Sequence, residues 1–181
     1  FYERADVLTV SIHGDPMTEY PFFLGHADER GAGVGEGFNL NLPLPPGTGH
    51  AGYQHAMERV VLPALDRFKP EAIIVACGFD AAAVDPLGRM LCTAETFRAL
   101  TRMVMEAASR LCDGRLVLVH EGGYSEGYVP FCGLAVIEEF ASHRTPVEDP
   151  FLDILTAQQP PSDYIAYQRA RLEAQARGLS L

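Results

Sequence analysis

The sequence predicts an α/β domain built on a parallel sheet with helices on its faces. Residues 72–77 (AIIVAC) and 116–120 (LVLVH) are short apolar runs rich in β-branched side chains. They are too short for lone helices and read as strands buried on both faces. Stretches with apolar residues at helical spacing lie between and after them. The order strand, helix, strand, helix, strand, helix implies right-handed crossovers between parallel strands.

Taken in order, Val7 to Ile12 (VLTVSI) is a strand by its β-branched content, ending at His13-Gly14-Asp15-Pro16. Residues 14–49 form a long connection rich in Gly and Pro, of the kind that is either functional or disordered. The aromatic cluster Tyr20, Phe22 and Phe23 argues against disorder. Phe38 to Leu44 alternates apolar and polar residues, a short strand stopped by Pro45-Pro46. From His50 to Phe68 the residues Tyr53, Met57, Val60, Val61, Leu65 and Phe68 recur at helical spacing. Thr48 is placed to cap that helix, and Pro63 predicts a kink or break.

Gly78 ends strand 72–77 and Asp80 follows at once. Thr93 then caps a helix with Phe97, Leu100, Val104, Ala107, Ala108 and Leu111 on one face. Strand 116–120 leads into Glu121-Gly-Gly-Tyr124. A helix from about Glu126 to Phe140 is expected to bury Val129, Val136, Ile137 and Phe140. From about 145 to 181 runs a Pro-rich tail ending in a polar helix, Asp163 to Arg177, whose face suits a partner subunit and hence a homo-oligomer. Residues 1–181 read as a single domain without internal repeats.

Composition narrows the function. With 181 residues, 48% of them hydrophobic, the chain can bury an ample core. No apolar run approaches the roughly 20 residues of a membrane helix, and no signal-like segment is present. A net charge of −10 with no basic cluster argues against nucleic-acid partners. Cys77, Cys92, Cys112 and Cys132 have no CxxC spacing, which fits a reducing, cytoplasmic setting and not a Cys-based zinc site. The chain opens on Phe1-Tyr2-Glu3-Arg4 and enters a strand within a few residues. We therefore expect part of a longer domain.

Ligands collect outside the carboxyl ends of strands in open α/β sheets. Asp80 and Tyr124 follow two strands joined by one crossover, so both belong on that edge. A lone Gly-x-Asp also serves simply to cap a turn. Together, however, a carboxylate that can hold a metal and a phenol that can donate to an oxyanion point to metal-assisted attack on a carbonyl. Gly122 and Gly123 would let substrate approach the backbone. The rival is Gly123-Tyr-Ser125-Glu-Gly127, which matches the G-x-S-x-G nucleophile elbow of serine esterases. There the triad continues as an acid and then His, whereas here His143 precedes Asp149, Asp153 and Asp163. Ser125 therefore reads as a helix N-cap. Gly31, Gly33, Gly35 and Gly37 have no strand before them and no helix after, and read as a turning loop. His13 and His120 read as structural, hydrogen-bonded residues. His26 lies in the aromatic loop, within reach of a ligand.

VLTVSIH13, YPFFLG25, GEGFNLNLPL44, CGFD80, DPLG88 and EGGY124 stand in the order and spacing of one family. Over about residues 1–140 the chain resembles the histone deacetylase superfamily, most closely the bacterial histone-deacetylase-like amidohydrolases and acetylpolyamine amidohydrolases. That resemblance implies an arginase-like, three-layer α/β fold with its N-terminal part missing. It also implies zinc-dependent hydrolysis of acyl-amines such as acetyl-lysine or acetylpolyamines. By position, Asp80 is then a zinc ligand, Tyr124 the oxyanion tyrosine and Phe23 an aromatic wall of the acyl channel. Leu87 falls near its mouth, and Gly122 and Gly123 near its floor. Ser11 and the Ile12 carbonyl match part of a structural K⁺ or Na⁺ site. The carbonyls of Phe1, Arg4 and Val7 match a second. The family's Asp-x-His ligand pair and its adjacent base histidines are absent from this sequence. The expectation is an amidohydrolase as the whole protein and an inactive, poorly stable chain in isolation. A non-catalytic acyl-amine- or protein-binding member is the remaining alternative.

Overall fold

The expected apolar and alternating runs become strands here, and they pair in parallel two by two. The computed structural model describes residues 1–178. In it β1 (Thr9–Gly14) pairs with β2 (Asn39–Leu44), from Thr9↔Asn39 to Gly14↔Leu44. β3 (Ile73–Cys77) pairs with β4 (Leu116–His120), from Ile73↔Leu116 to Cys77↔His120. One parallel sheet was the expectation; the described strands instead form two separate two-stranded pairs.

The segment His50 to Phe68 is helical throughout, as α1 (His50–Ala56), a π-helical turn (Met57–Val61) and α2 (Leu62–Phe68). The expected break at Pro63 takes the form of that wider turn. Proline has no N–H to offer the carbonyl of Arg59 and its ring crowds it, so the preceding turn opens. Thr48 does not cap α1. Its hydroxyl donates to the Pro45 carbonyl at 2.6 Å, and Gly49 stands at the cap without a side-chain bond.

α3 (Ala94–Cys112) begins as expected. Thr93 and Thr96 form a capping box, with the Thr96 N–H donating to the Thr93 hydroxyl and the Thr93 N–H to the Thr96 hydroxyl. The next helix starts later than expected, as α4 (Val129–Ala141), and shows a different face. Cys132, Ala135, Val136 and Glu138 are buried, whereas Ile137 and Phe140 are exposed. Glu138 is drawn inward by Arg98 on α3, at 2.8 Å, and this turns Ile137 outward.

The tail folds back on its own chain. α5 (Leu152–Ala157) and α6 (Ser162–Gly178) follow a bond from the buried Tyr128 hydroxyl to Asp149 at 2.9 Å. On α6, the Tyr164 hydroxyl donates to the Pro46 carbonyl at 2.8 Å, Arg171 meets Asp15 at 3.2 Å and Glu173 meets Arg59 at 2.7 Å. Leu172 is buried between these polar anchors. α6 packs against β2, α1 and the π-helical turn of its own chain, while Tyr167 on it stays exposed.

Burial of β3 and β4 on both faces is a second expectation that fails. Val75, Cys77, Leu116 and Leu118 pack on the core, and Phe79 beyond β3 sits edge-on to Phe97 of α3. The opposite face carries Ile74, 76% exposed, with Val117 and Val119 also open. No described element covers it. Among the described residues, no helix is long and apolar enough to cross a membrane.

Candidate active site

β3 and β4 deliver the two polar side chains to a single edge. Their pairing continues past the strands: the Phe79 N–H donates to the Gly122 carbonyl at 2.7 Å and the Glu121 N–H to the Cys77 carbonyl at 3.2 Å. Asp80 and Tyr124 therefore leave the sheet side by side. Their heads meet over Gly122. A Cβ at that glycine would collide with the Asp80 carboxylate and stand 3.4 Å from the Tyr124 hydroxyl oxygen. A Cβ at Gly78 would lie 2.9 Å from Asp80 Oδ1, so glycine frames the carboxylate on two sides. Gly123, at φ +128°, holds a backbone shape that other residues rarely adopt, and this lets the chain turn between Gly122 and Tyr124.

Burial pushes the Asp80 carboxyl above the usual carboxylate range. The backbone N–H groups of Asp80 and Ala81 oppose that shift, and the nearby charge of Asp85 adds to it. Tyr124 is half exposed. The arrangement offers one anionic ligand and one phenolic donor to a small region of space, where the phenol can donate to an oxygen.

Phe23, 74% exposed, lies on the β1–β2 connection, and no ring contact joins it to the Asp80–Tyr124 pair among the described residues. Leu87 is likewise exposed, in the turn after Asp85. Ser11 and Ile12 lie on β1. The Ser11 hydroxyl is bonded to His13 Nδ1 at 2.7 Å, and His13 Nε2 reaches the Gly25 carbonyl at 2.8 Å, the structural role expected of His13. The Phe1 carbonyl accepts from the Arg4 N–H at 2.9 Å, and Val7 leads into β1. The glycine loop is a tight turn, with Gly31 and Gly35 closing against residues 2–4.

Ser125 is not the cap of α4; that position is Tyr128, and the Ser125 carbonyl accepts from the N–H groups of Tyr128 and Val129. No hydrogen bond links the Ser125 hydroxyl to a histidine among the described residues, so the elbow motif forms no catalytic pair.

Asp85 is the residue that the sequence passes over. Its buried carboxylate accepts from Leu87, Gly88 and Tyr124, and the only local signal was the Asp-Pro-Leu-Gly turn. Zinc fits the chemistry of Asp80 but not the number of donors. Among the described residues, no three of His, Cys, Asp or Glu gather where a metal ion could be held. Residues 1–178 do not make a zinc site by themselves.

Residues 1–140 match the family model of the histone deacetylase domain. The chain is 54% identical over 181 residues to the histone deacetylase-like amidohydrolase of Pseudomonas aeruginosa, all of this chain and 47% of that protein. The crystal structure of an acetylpolyamine aminohydrolase from Burkholderia pseudomallei superposes with a TM-score of 0.71 at 39% identity, over 80% of this chain and 41% of that one. The HDA15 HD domain superposes with a TM-score of 0.73 at 31% identity, over 96% of this chain and 49% of the other. The chain spans about half the length of such relatives. Its sequence match, its fold neighbours and its paired parallel strands agree: this chain belongs to the histone deacetylase family.

Proposed function

We propose that the whole protein is a zinc-dependent amidohydrolase that removes acyl groups from amines of the acetyl-lysine or acetylpolyamine type. The observation that carries this reading is the meeting of the Asp80 carboxylate and the Tyr124 hydroxyl over Gly122. Relatives named as deacetylases and acetylpolyamine amidohydrolases support amide hydrolysis as the reaction class.

In this reading Asp80 is the contribution of the chain to the zinc ligand set, and the remaining ligands and the catalytic base come from outside residues 1–181. Tyr124 directs its hydroxyl at the amide carbonyl oxygen and donates a hydrogen bond that strengthens as negative charge develops there. Gly122 and Gly123 form a floor low enough for the carbonyl to reach both groups. Phe23 and Leu87, whose apolar side chains are open to solvent, flank the aliphatic stem of the substrate. Structural K⁺ or Na⁺ ions at Ser11 and Ile12, and at the carbonyls of Phe1, Arg4 and Val7, belong to the same reading.

Substitution of Tyr124→Phe in the whole protein tests it. Turnover of an acetyl-lysine peptide should fall by about 10²–10³-fold, the effect of losing one oxyanion donor, while KM changes little. Unchanged turnover would remove Tyr124 from the mechanism.

A further inference from the structure

We infer that Asp85 is a positioning residue that ties Tyr124 to the loop carrying Asp80 and fixes the separation of the two. The inference rests on the reading of Tyr124 as the oxyanion donor.

The carboxylate of Asp85 is buried, and both of its oxygens are engaged. Oδ1 accepts from the N–H groups of Leu87, at 2.8 Å, and Gly88, at 2.9 Å, which closes the turn after Pro86. Oδ2 accepts from the Tyr124 N–H at 2.7 Å, across 39 positions of sequence. Bonds from N–H groups to an ionised acceptor are about twice as strong as neutral ones, and burial strengthens them further. The turn is itself pressed onto Asp80: a Cβ at Gly88 would collide with the Asp80 carbonyl oxygen. One carboxylate therefore joins three parts of the site, the Asp80 backbone through Gly88, the exposed Leu87, and Tyr124.

Tyr124 needs such a tether. Tyr124 is 54% exposed, and among the described residues its hydroxyl has no hydrogen-bond partner and its ring no ring contact, so little packing aims the hydroxyl. Gly122 and Gly123 before it give the backbone freedom that a fixed donor cannot tolerate. Its backbone N–H, held by Asp85, sets where the side chain begins. An oxyanion donor displaced by about 1 Å loses on the order of 100-fold in rate, so a tether at this point is felt in turnover more than in substrate affinity.

The test is a double-mutant cycle in the whole protein, with an acetyl-lysine peptide as substrate and folding checked by circular dichroism. Asp85→Ala, with Asp85→Asn as the isosteric second variant, should lower kcat by about 10–100-fold and move KM by less than about threefold. In a Tyr124→Phe background, where no donor is left to position, the same substitutions should lower kcat by less than about threefold more. Equal losses in both backgrounds, or an unchanged kcat, would overturn the role of Asp85 while leaving Tyr124 in place. If Tyr124→Phe alone leaves kcat unchanged, the oxyanion reading fails instead. Should neither Asp85 variant fold, hydrogen exchange at the Tyr124 amide of the unmodified protein decides. Slow exchange supports the tether, and exchange as fast as an open loop overturns it.

Discussion

Asp80 is a carboxylate held where its charge is unwelcome. Burial raises its pKa, so the ionised form that could serve a metal is strained in the folded protein. Because the folded-state value lies above the ordinary 3.8, the associated stability is present below that pH and is lost as pH rises through the folded value. Asp80→Asn should therefore lower turnover by more than about 100-fold, as loss of a metal ligand does, yet raise the melting temperature of the metal-free protein at neutral pH. The gain should fade as pH falls through the folded value toward 3.8. A melting temperature lowered at neutral pH would show that the carboxylate is stabilising and the site misread. Asp80 and Tyr124 were legible because each follows a strand directly, and strand ends fix position. Asp85 was not, because its partner Tyr124 lies on another loop and no local pattern announces a bond across 39 positions. Ser125 misleads for the converse reason: its motif is local, whereas the contact it would need is not.

Elements obey the same division between local and distant causes. The Thr93–Thr96 capping box was readable in outline because cap chemistry is complete within four residues. The buried face of α4 was not, since it is set by Arg98 on α3. Glu138 is the pivot. Its carboxyl accepts from the hydroxyl and N–H of Thr145 and from Arg98, and these hold it down to about 2 from the ordinary 4.5. A depressed folded-state value stabilises above about pH 4.5, and the contribution is lost as pH falls toward 2. Denaturant midpoints of the protein and its Glu138→Gln variant should therefore differ most at neutral pH and converge as pH falls toward 2. A gap that stays constant with pH would exclude this role for the charge. The π-helical turn before Pro63 likewise shows a local rule in distant company. The proline demanded a disturbance, and packing against α6 and its neighbours kept the rod continuous.

At the scale of the molecule, the chain spans about half the length of the relatives it matches. The fold class was legible because buried parallel strands have a distinctive composition. The second face of β3 and β4 misled for the same reason: Ile74, Val117 and Val119 are apolar in the manner of a covered sheet, yet nothing described covers them. Among the described residues, no three metal-ligating side chains gather. The 181-residue chain alone should show no deacetylation of an acetyl-lysine peptide, with or without added Zn²⁺. Zinc-dependent turnover by that chain would mean that the ligands assigned elsewhere lie within it. The central claim, that Asp80 and Tyr124 act on one carbonyl group, is tested most directly by comparing a tetrahedral mimic with the flat amide. In the whole protein, a trifluoromethyl ketone that binds as its hydrate should lose about 10²–10³-fold in affinity on Tyr124→Phe, while the unreacted amide loses less than about threefold. Equal losses for both ligands, or none for either, would contradict the claim.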